Sequence, residues 1–192
     1  MKLVFASNNT HKLAEVRAIL PEYEVLSLLD IGFEQEIEET GKTLEANSLI
    51  KAQAVVNWLQ QQNLHFWVFA DDTGLEIAAL NGQPGVYTAR WAGTPSNPAN
   101  NRRKVLAELA GKTNRAARFR TVITLFRDGS IEQVEGLVDG QIATKEYGEG
   151  GFGYDSLFIP QGYEQTFAQL PTQVKNGISH RARALDALKQ IL

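Results

Sequence analysis

The sequence predicts a two-lobed α/β protein with a mixed sheet and a cleft, and three observations lead there. The chain opens as strand, polar turn and helix: residues 2–6 are apolar, Ser7-Asn8-Asn9 can cap, and Leu13, Val16 and Leu20 follow at helical spacing. A second apolar run, Phe66-Trp67-Val68-Phe69-Ala70, is rich in β formers and reads as a central strand. Asp128-Gly129 separates two further β-rich runs as a hairpin signal, so the sheet is mixed and not purely parallel.

The elements follow in chain order. Pro21 closes the first helix, and Tyr23 to Leu28 reads as a second strand. Glu34 to Gly41 is acidic and irregular. From Thr43 to about Gln62 the pattern is helical, with Thr43 as cap and Leu49, Ala52, Val55, Val56 and Leu59 on one face. The central strand is expected to end at Asp71-Asp72-Thr73-Gly74, with Leu75 to Leu80 returning as a separate strand. Asn81 to Gly85 is a turn and Gly93 to Asn101 a loop, each rich in breakers. Arg102 to Ala110 reads as a helix stopped by Gly111; Phe119 to Phe126 and Ile131 to Val138 form the hairpin. A glycine-rich loop, 148–153, precedes the apolar Leu157-Phe158-Ile159, which Pro160 stops. A last helix begins near Ser179, with Ala182, Leu185, Leu188 and Leu192 as its stripe.

Composition narrows the chemistry. At about 100–200 residues per domain, the 192 residues are taken as one domain, residues 1–192. The absence of Cys removes thiol nucleophiles, Cys-based zinc sites and disulfides. A net charge of −3 argues against a nucleic-acid partner. No run approaches the roughly 18 apolar residues of a membrane span, and Leu3 to Ala6 is too short for a signal-peptide core, so a cytoplasmic protein without a membrane partner is expected.

Two nucleotide motifs fail on inspection. Gly41-Lys42-Thr43 resembles the end of a P-loop, but Glu36 stands where that motif needs glycine, in a stretch that repels phosphate. Residues 148–153 match the dinucleotide fingerprint as a string, yet a strand follows where the motif needs a helix.

Four segments carry chemistry. Ser7-Asn8-Asn9-Thr10-His11-Lys12 joins the first strand to its helix, where free N–H groups and a lysine favour an anion; a cap with an exposed Lys is the plainer reading. Asp71-Asp72 ends an apolar strand where α/β sheets place ligands. Two carboxylates beside a phosphate site suit Mg²⁺, with Glu38 or Glu39 as a further ligand; alternatively one Asp caps a turn. Phe152-Gly153-Tyr154-Asp155 offers an aromatic face beside a carboxylate, suited to a planar base or simply to the core. Ser179-His180-Arg181 opens the last helix with two donors, although a lone His there is commonly structural.

Taken together, these segments resemble the inosine triphosphate pyrophosphatase family. The resemblance runs through Ser7-Asn8-Asn9-x-x-Lys12, Glu38-Glu39-Thr40-Gly41, Asn47 with Lys51, and Ala70 to Leu75. It continues through Pro84 to Arg90, Gly150 to Asp155, Lys175, and Ser179 to Arg181. Small departures are Ser7-Asn8, Thr73 and Ala46. The resemblance implies a homodimer and an elongated mixed sheet flanked by helices. It also implies Mg²⁺-dependent cleavage of ITP, dITP and XTP to the monophosphate and pyrophosphate. On this reading Asp72 holds the metal or acts as base, helped by Asp71 and by Glu38 or Glu39. Lys12, Lys51 and Lys175 meet the triphosphate, with Ser7 to His11 and Thr73 nearby. Phe152, Gly153, Tyr154, Asp155, His180 and Arg181 take the base. A pyrimidine triphosphate pyrophosphatase and a non-catalytic nucleotide sensor are the competing readings.

Overall fold

The computed structural model describes residues 2–192. Seven strands form one mixed sheet among the described residues, in the order β2-β1-β3-β5-β6-β7, with β4 alongside β3. Strand β1 (Lys2–Phe5) pairs in parallel with both β2 (Glu24–Leu26) and β3 (Trp67–Ile77). Strand β4 (Gln83–Gly85) runs antiparallel to β3, and β7 (Phe158–Pro160) antiparallel to β6 (Ser130–Ile142). Strand β5 (Ala116–Arg127) meets β6 through Asp128-Gly129, both at positive φ, as a two-residue hairpin requires.

The chain divides into two compact units: residues 1–72, 121–136 and 182–192, and residues 73–120 and 137–181. In the first unit, strand alternation sorts two cores. Leu3, Phe5 and Phe69 face one way, onto Leu13 and Val16 of α1 (Thr10–Ile19) and Leu185 and Leu188 of α5 (His180–Lys189). Val4, Ala6, Val68 and Ala70 face the other, onto Ala52, Val55 and Leu59 of α2 (Leu44–Gln61). Helices α1 and α2 each begin where a cap satisfies a free N–H: Asn9 accepts from Lys12 N at 3.0 Å, and Thr43 from Ala46 N at 3.1 Å. The second unit has its own core, in which Leu75, Ile77, Phe119, Phe158 and Phe167 pack with Val105 and Leu109, at the α3 (Pro98–Glu108) end.

Four expectations need correction. Strand β3 does not stop at Asp71-Asp72 but runs on to Ile77, so no separate strand returns over Leu75 to Leu80. Gly74 stays in extended backbone, and the reversal comes at Asn81 and Gly82, both at positive φ. Helix α3 starts at Pro98, inside the expected loop, because Asn97 caps it and proline suits the first turn. On α2, Leu49 is 37% exposed, and the buried face begins with Asn47, Ser48 and Lys51. An apolar stripe therefore misplaced a face whose first turns are polar. Helix α4 (Thr172–Ile178) gave no periodic apolar signal in the sequence.

Candidate active site

Successive residues of a strand point to opposite faces, which decides what Asp71-Asp72 can do. Asp71 meets the helix on the α1 side: its Oδ1 accepts from Lys12 Nζ at 2.7 Å. Asp72 meets the helix on the α2 side, where Lys51 Nζ lies 3.3 Å from its Oδ1 and donates to Glu39 Oε1 at 2.7 Å. The two aspartates thus serve two lysines instead of forming one adjacent pair. Both are buried, as is Lys51.

The Asp72 side is assembled by α2. Asn47 and Lys51 are one helical turn apart on its buried face. Asn47 Oδ1 accepts from Gly41 N at 2.7 Å, which pins the acidic loop just after Glu39. Any Cβ on Gly41 would come within 2.5 Å of that oxygen, so the loop can close only on glycine. Glu38, one residue away, is exposed. Burial pushes the Asp72 carboxyl above its ordinary range, and Glu39 adds to this while Lys51 and Lys12 oppose it. Burial also works against the charge on Lys51, but Asp72, Asp71 and Glu39 outweigh it and raise its pKa.

Asp72 Oδ2 is buried and makes no hydrogen bond of good geometry, although the Asn47 side chain lies close enough to pull the Asp72 pKa down. An orphaned carboxylate oxygen in a cluster of three acids is costly unless something else binds it. No group of three or more acidic or His side chains is arranged as a ready metal cage among the described residues. Mg²⁺ needs less, since it takes one or two carboxylates together with phosphate oxygens and water. The Asp72 carboxylate with Glu39 beside it fits that requirement.

The Ser7–Lys12 segment sits at the start of α1. Ser7 Oγ accepts from Asn9 N at 3.1 Å, and Asn8 Oδ1 from Leu29 N at 2.9 Å. Asn9 to His11 are exposed, while the Lys12 side chain is largely covered by its pair with Asp71.

A second group forms within the other unit. Asp155 Oδ2 accepts from Phe152 N at 2.8 Å and from Lys175 Nζ at 2.6 Å. The Lys175 ammonium lies 4.8 Å from the Phe152 ring centroid, and the Arg181 guanidinium carbon 5.7 Å from it. Arg181 Nη2 reaches Thr73 Oγ1 at 3.4 Å, a long contact. His180 is buried and stacked on Phe119 at 4.5 Å. Tyr154 turns into the core and donates its hydroxyl to Thr88 O at 2.8 Å; burial pushes that hydroxyl's pKa up.

Two placements depart from the sequence reading. Lys175 is held by Asp155 and Phe152, while Lys12 and Lys51 are held by the Asp71–Asp72 strand. Arg102 was not singled out as a functional residue, yet its Nη1 donates to Gly153 O at 2.9 Å and its Nε to Glu146 Oε2 at 2.8 Å. Nothing local to residue 102 announces this, since its partners lie more than 40 residues on. A groove of about 420 Å³ lined by Val56, Leu59, Phe66, Trp67 and Phe126 contains none of the candidate residues.

The comparisons with known proteins agree with one another over the whole chain. It is 46% identical over 193 residues to the dITP/XTP pyrophosphatase of Flavobacterium johnsoniae, covering 100% of this chain and 98% of that one. It is 45% identical over 194 residues to the dITP/XTP pyrophosphatase of Bacillus subtilis, covering 98% and 96%. Among solved structures, the Staphylococcus aureus Ham1 protein superposes with a TM-score of 0.87 at 38% identity, covering 100% and 97%. A Mycobacterium abscessus nucleoside-triphosphatase, described as a dITP/XTP pyrophosphatase, gives 0.75 at 40% identity, covering 98% of each. Sequence and fold point the same way, and with the Ham1 family pattern matched from residue 3 to residue 191, the chain belongs to the Ham1 family.

Proposed function

We propose that this chain hydrolyses non-standard purine nucleoside triphosphates, ITP, dITP and XTP, to the monophosphate and pyrophosphate, and so removes them from the nucleotide pool. The observation that carries the reading is the cluster of Asp72, Glu39, Lys51, Asp71 and Lys12, with Asp72 Oδ2 buried and without a well-formed hydrogen bond. The name shared by relatives of nearly equal length supplies the substrate class.

Asp72 would hold Mg²⁺, with Glu39 beside it and Glu38 as the outer candidate, while Asp71 on the other face of β3 anchors Lys12. That cation supplies charge neutralisation for the leaving pyrophosphate. Alternatively, Asp72 accepts the proton of the attacking water as base. Lys12 and Lys51 bind triphosphate oxygens, and Ser7, Asn8, Asn9, Thr10 and His11 contribute donors from the start of α1. The second group takes the base: Phe152 stacks on it, Gly153 and Tyr154 continue the platform's backbone, and Asp155 fixes Lys175. Lys175, His180 and Arg181 donate to the 6-oxo group, and Thr73 steadies Arg181. A site built around one hydrogen bond rejects analogues lacking it by about 10⁴–10⁵. We take the domain to be the whole of residues 1–192. The protein is read as a cytoplasmic homodimer without nucleic-acid or membrane partners; no helix among the described residues is long and apolar enough to cross a membrane.

The test is a substrate panel with Mg²⁺: ITP, dITP, XTP, ATP, GTP and modified pyrimidine triphosphates, with the phosphate product identified. Pyrophosphate from ITP, dITP and XTP is expected. Orthophosphate, preference for pyrimidines, or no product would overturn the reading.

A further inference from the structure

Asn47 is fully buried near the start of α2, a position where helix formation gives it no purpose. Asparagine is a poor helix former, and an amide taken out of water costs free energy unless both of its ends find partners. The carbonyl end has one, since Oδ1 accepts from Gly41 N at 2.7 Å. A backbone N–H can only donate, so this bond fixes which end of the amide meets the loop and leaves Nδ2 for another group. Nδ2 is buried and makes no hydrogen bond of good geometry, and the same is true of Asp72 Oδ2. One is a donor and the other a carboxylate acceptor, and the Asn47 side chain lies close enough to Asp72 to pull its pKa down. Lys51, one turn further along α2, serves the same two partners, donating to Glu39 Oε1 at 2.7 Å and lying 3.3 Å from Asp72 Oδ1. Helix α2 therefore reaches both the acidic loop and Asp72 twice, once with a charge and once without. The difference matters at a cation site: an ammonium competes with a cation for carboxylate oxygens, whereas a neutral amide orients a carboxylate without opposing that cation.

We propose that Asn47 is a positioning residue for the metal end of the site: its Oδ1 holds the loop that carries Glu39, its Nδ2 steadies the Asp72 carboxylate, and the two acids are thereby kept facing one cation. The inference rests on the assignment of Mg²⁺ to Asp72 and Glu39 and deepens it. Groups that hydrogen-bond a metal ligand fix its orientation, and affinity falls when they are removed even though the ligand remains. The seat is tight, because a Cβ on Gly41 would lie 2.5 Å from Asn47 Oδ1 and 2.9 Å from Asn47 N. Asn47 acts through Asp72 and Glu39 and not on the nucleotide.

The experiment uses the full chain as wild type, Asn47→Ala and Gly41→Ala. Mn²⁺ binding is titrated without nucleotide by water-proton relaxation, and the Mg²⁺ dependence of pyrophosphate release from ITP is measured alongside. Asn47→Ala removes both ends of the amide and is expected to weaken Mn²⁺ binding by about tenfold or more. The Mg²⁺ concentration for half-maximal rate should rise by a similar factor, while kcat and the KM for ITP at saturating Mg²⁺ stay close to wild type. Gly41→Ala displaces only the Oδ1 end, and should weaken Mn²⁺ binding by about threefold. A merely structural role would lower the folded fraction and leave the metal affinity of the folded protein where it was. If melting shows Asn47→Ala unfolded, Gly41→Ala decides alone. Unchanged Mn²⁺ affinity in the folded variants, or a loss of rate that saturating Mg²⁺ does not relieve, would overturn the role of Asn47. A wild type that binds no Mn²⁺, or releases no pyrophosphate from ITP, would instead overturn the metal assignment or the activity beneath it.

Discussion

The acid–lysine cluster and the Phe152 group are built by different means. The first stands on regular structure: two adjacent strand residues face opposite ways, and each meets a lysine from the helix on its side. The second stands on loops: Gly151 and Gly153 both adopt positive φ, and the residues around Phe152 arrive from positions 102, 155, 175 and 181. Their charge is opposite as well. Three carboxylates against two lysines leave the first with a net negative charge, while Asp155 against Lys175 and Arg181 leaves the second positive. Periodicity suffices to aim a charge when both partners sit on regular elements. A loop has no such rule and must be tied down atom by atom.

The largest effect that separates them is expected from Asp72→Asn. Activity on ITP should fall by about 10²–10⁴, the range for loss of a positioned general base. Stability should move the other way. The carboxyl is raised above its unfolded value, so the folded protein binds the proton more tightly than the unfolded chain does. Stability is then greatest below the unfolded value and declines as pH rises through the folded one. At pH 7 the amide removes that cost, and Asp72→Asn should melt higher than the wild type in the absence of metal. Near pH 4 the gap should close. Adding Mg²⁺ should raise the melting temperature of the wild type but not of the variant, because ligand binding to the native state alone stabilises it. A variant that melts lower at pH 7 and still responds to Mg²⁺ would remove Asp72 from its assigned place.

The same contrast explains what the sequence made legible. The opening strand and helix, the α2 cap at Thr43, the Asp128-Gly129 hairpin and the last helix all follow from local periodicity and turn chemistry, and all appear. The mixed sheet follows from that hairpin. Asp71 and Asp72 stand out because they interrupt an apolar strand, Lys12 because it follows a helix start, and Lys51 only through the family resemblance. Their pairing does not, since it needs β3 to run straight through Asp71-Asp72, and Thr73-Gly74 reads locally as a turn. Pairing with β4 across Leu75–Ile77 overrides that local signal. In the loop-built group, Phe152 and Asp155 stood out, but Arg102 did not. Its contact with Gly153 spans 51 residues, and no short pattern encodes it.

Gly151→Ala probes the loop-built group next. Gly151 has φ of 71°, and an added Cβ would lie 2.1 Å from Asp155 Oδ2. Gly153 has φ of 63° with nothing within 4 Å of its Cβ position. Gly153→Ala should therefore cost only the left-handed backbone, about 1 kcal/mol. Gly151→Ala should cost about 2–3 kcal/mol, because Asp155 must give way and release Phe152 N or Lys175. Thermal melts of both variants give the ordering, and KM for ITP should rise more in Gly151→Ala. Equal melting temperatures would mean that the loop adapts freely and is not tethered as described.

The smallest effect belongs to a control within the first unit. Asp30 is a carboxylate whose pKa is lowered: the Ser27 backbone N–H donates to it at 2.8 Å, the Ser27 hydroxyl contributes, and Arg17 adds its charge. The sign is therefore opposite to that at Asp72. The folded value lies below the unfolded one, so this stabilisation is present above about pH 4 and is lost as pH falls through the folded value. Asp30→Asn should lower the melting temperature at pH 7 by about 1–2 °C, as expected for an exposed pair in a protein of this size. At pH 3 the difference should shrink. Together with Asp72→Asn this sets two aspartates of one unit against each other. If both variants moved stability in the same direction at pH 7, the strain at Asp72 would belong to the unit's overall charge and not to the buried cluster. Opposite directions would tie it to burial beside Glu39 and Lys51, where a cation and a triphosphate are expected to relieve it.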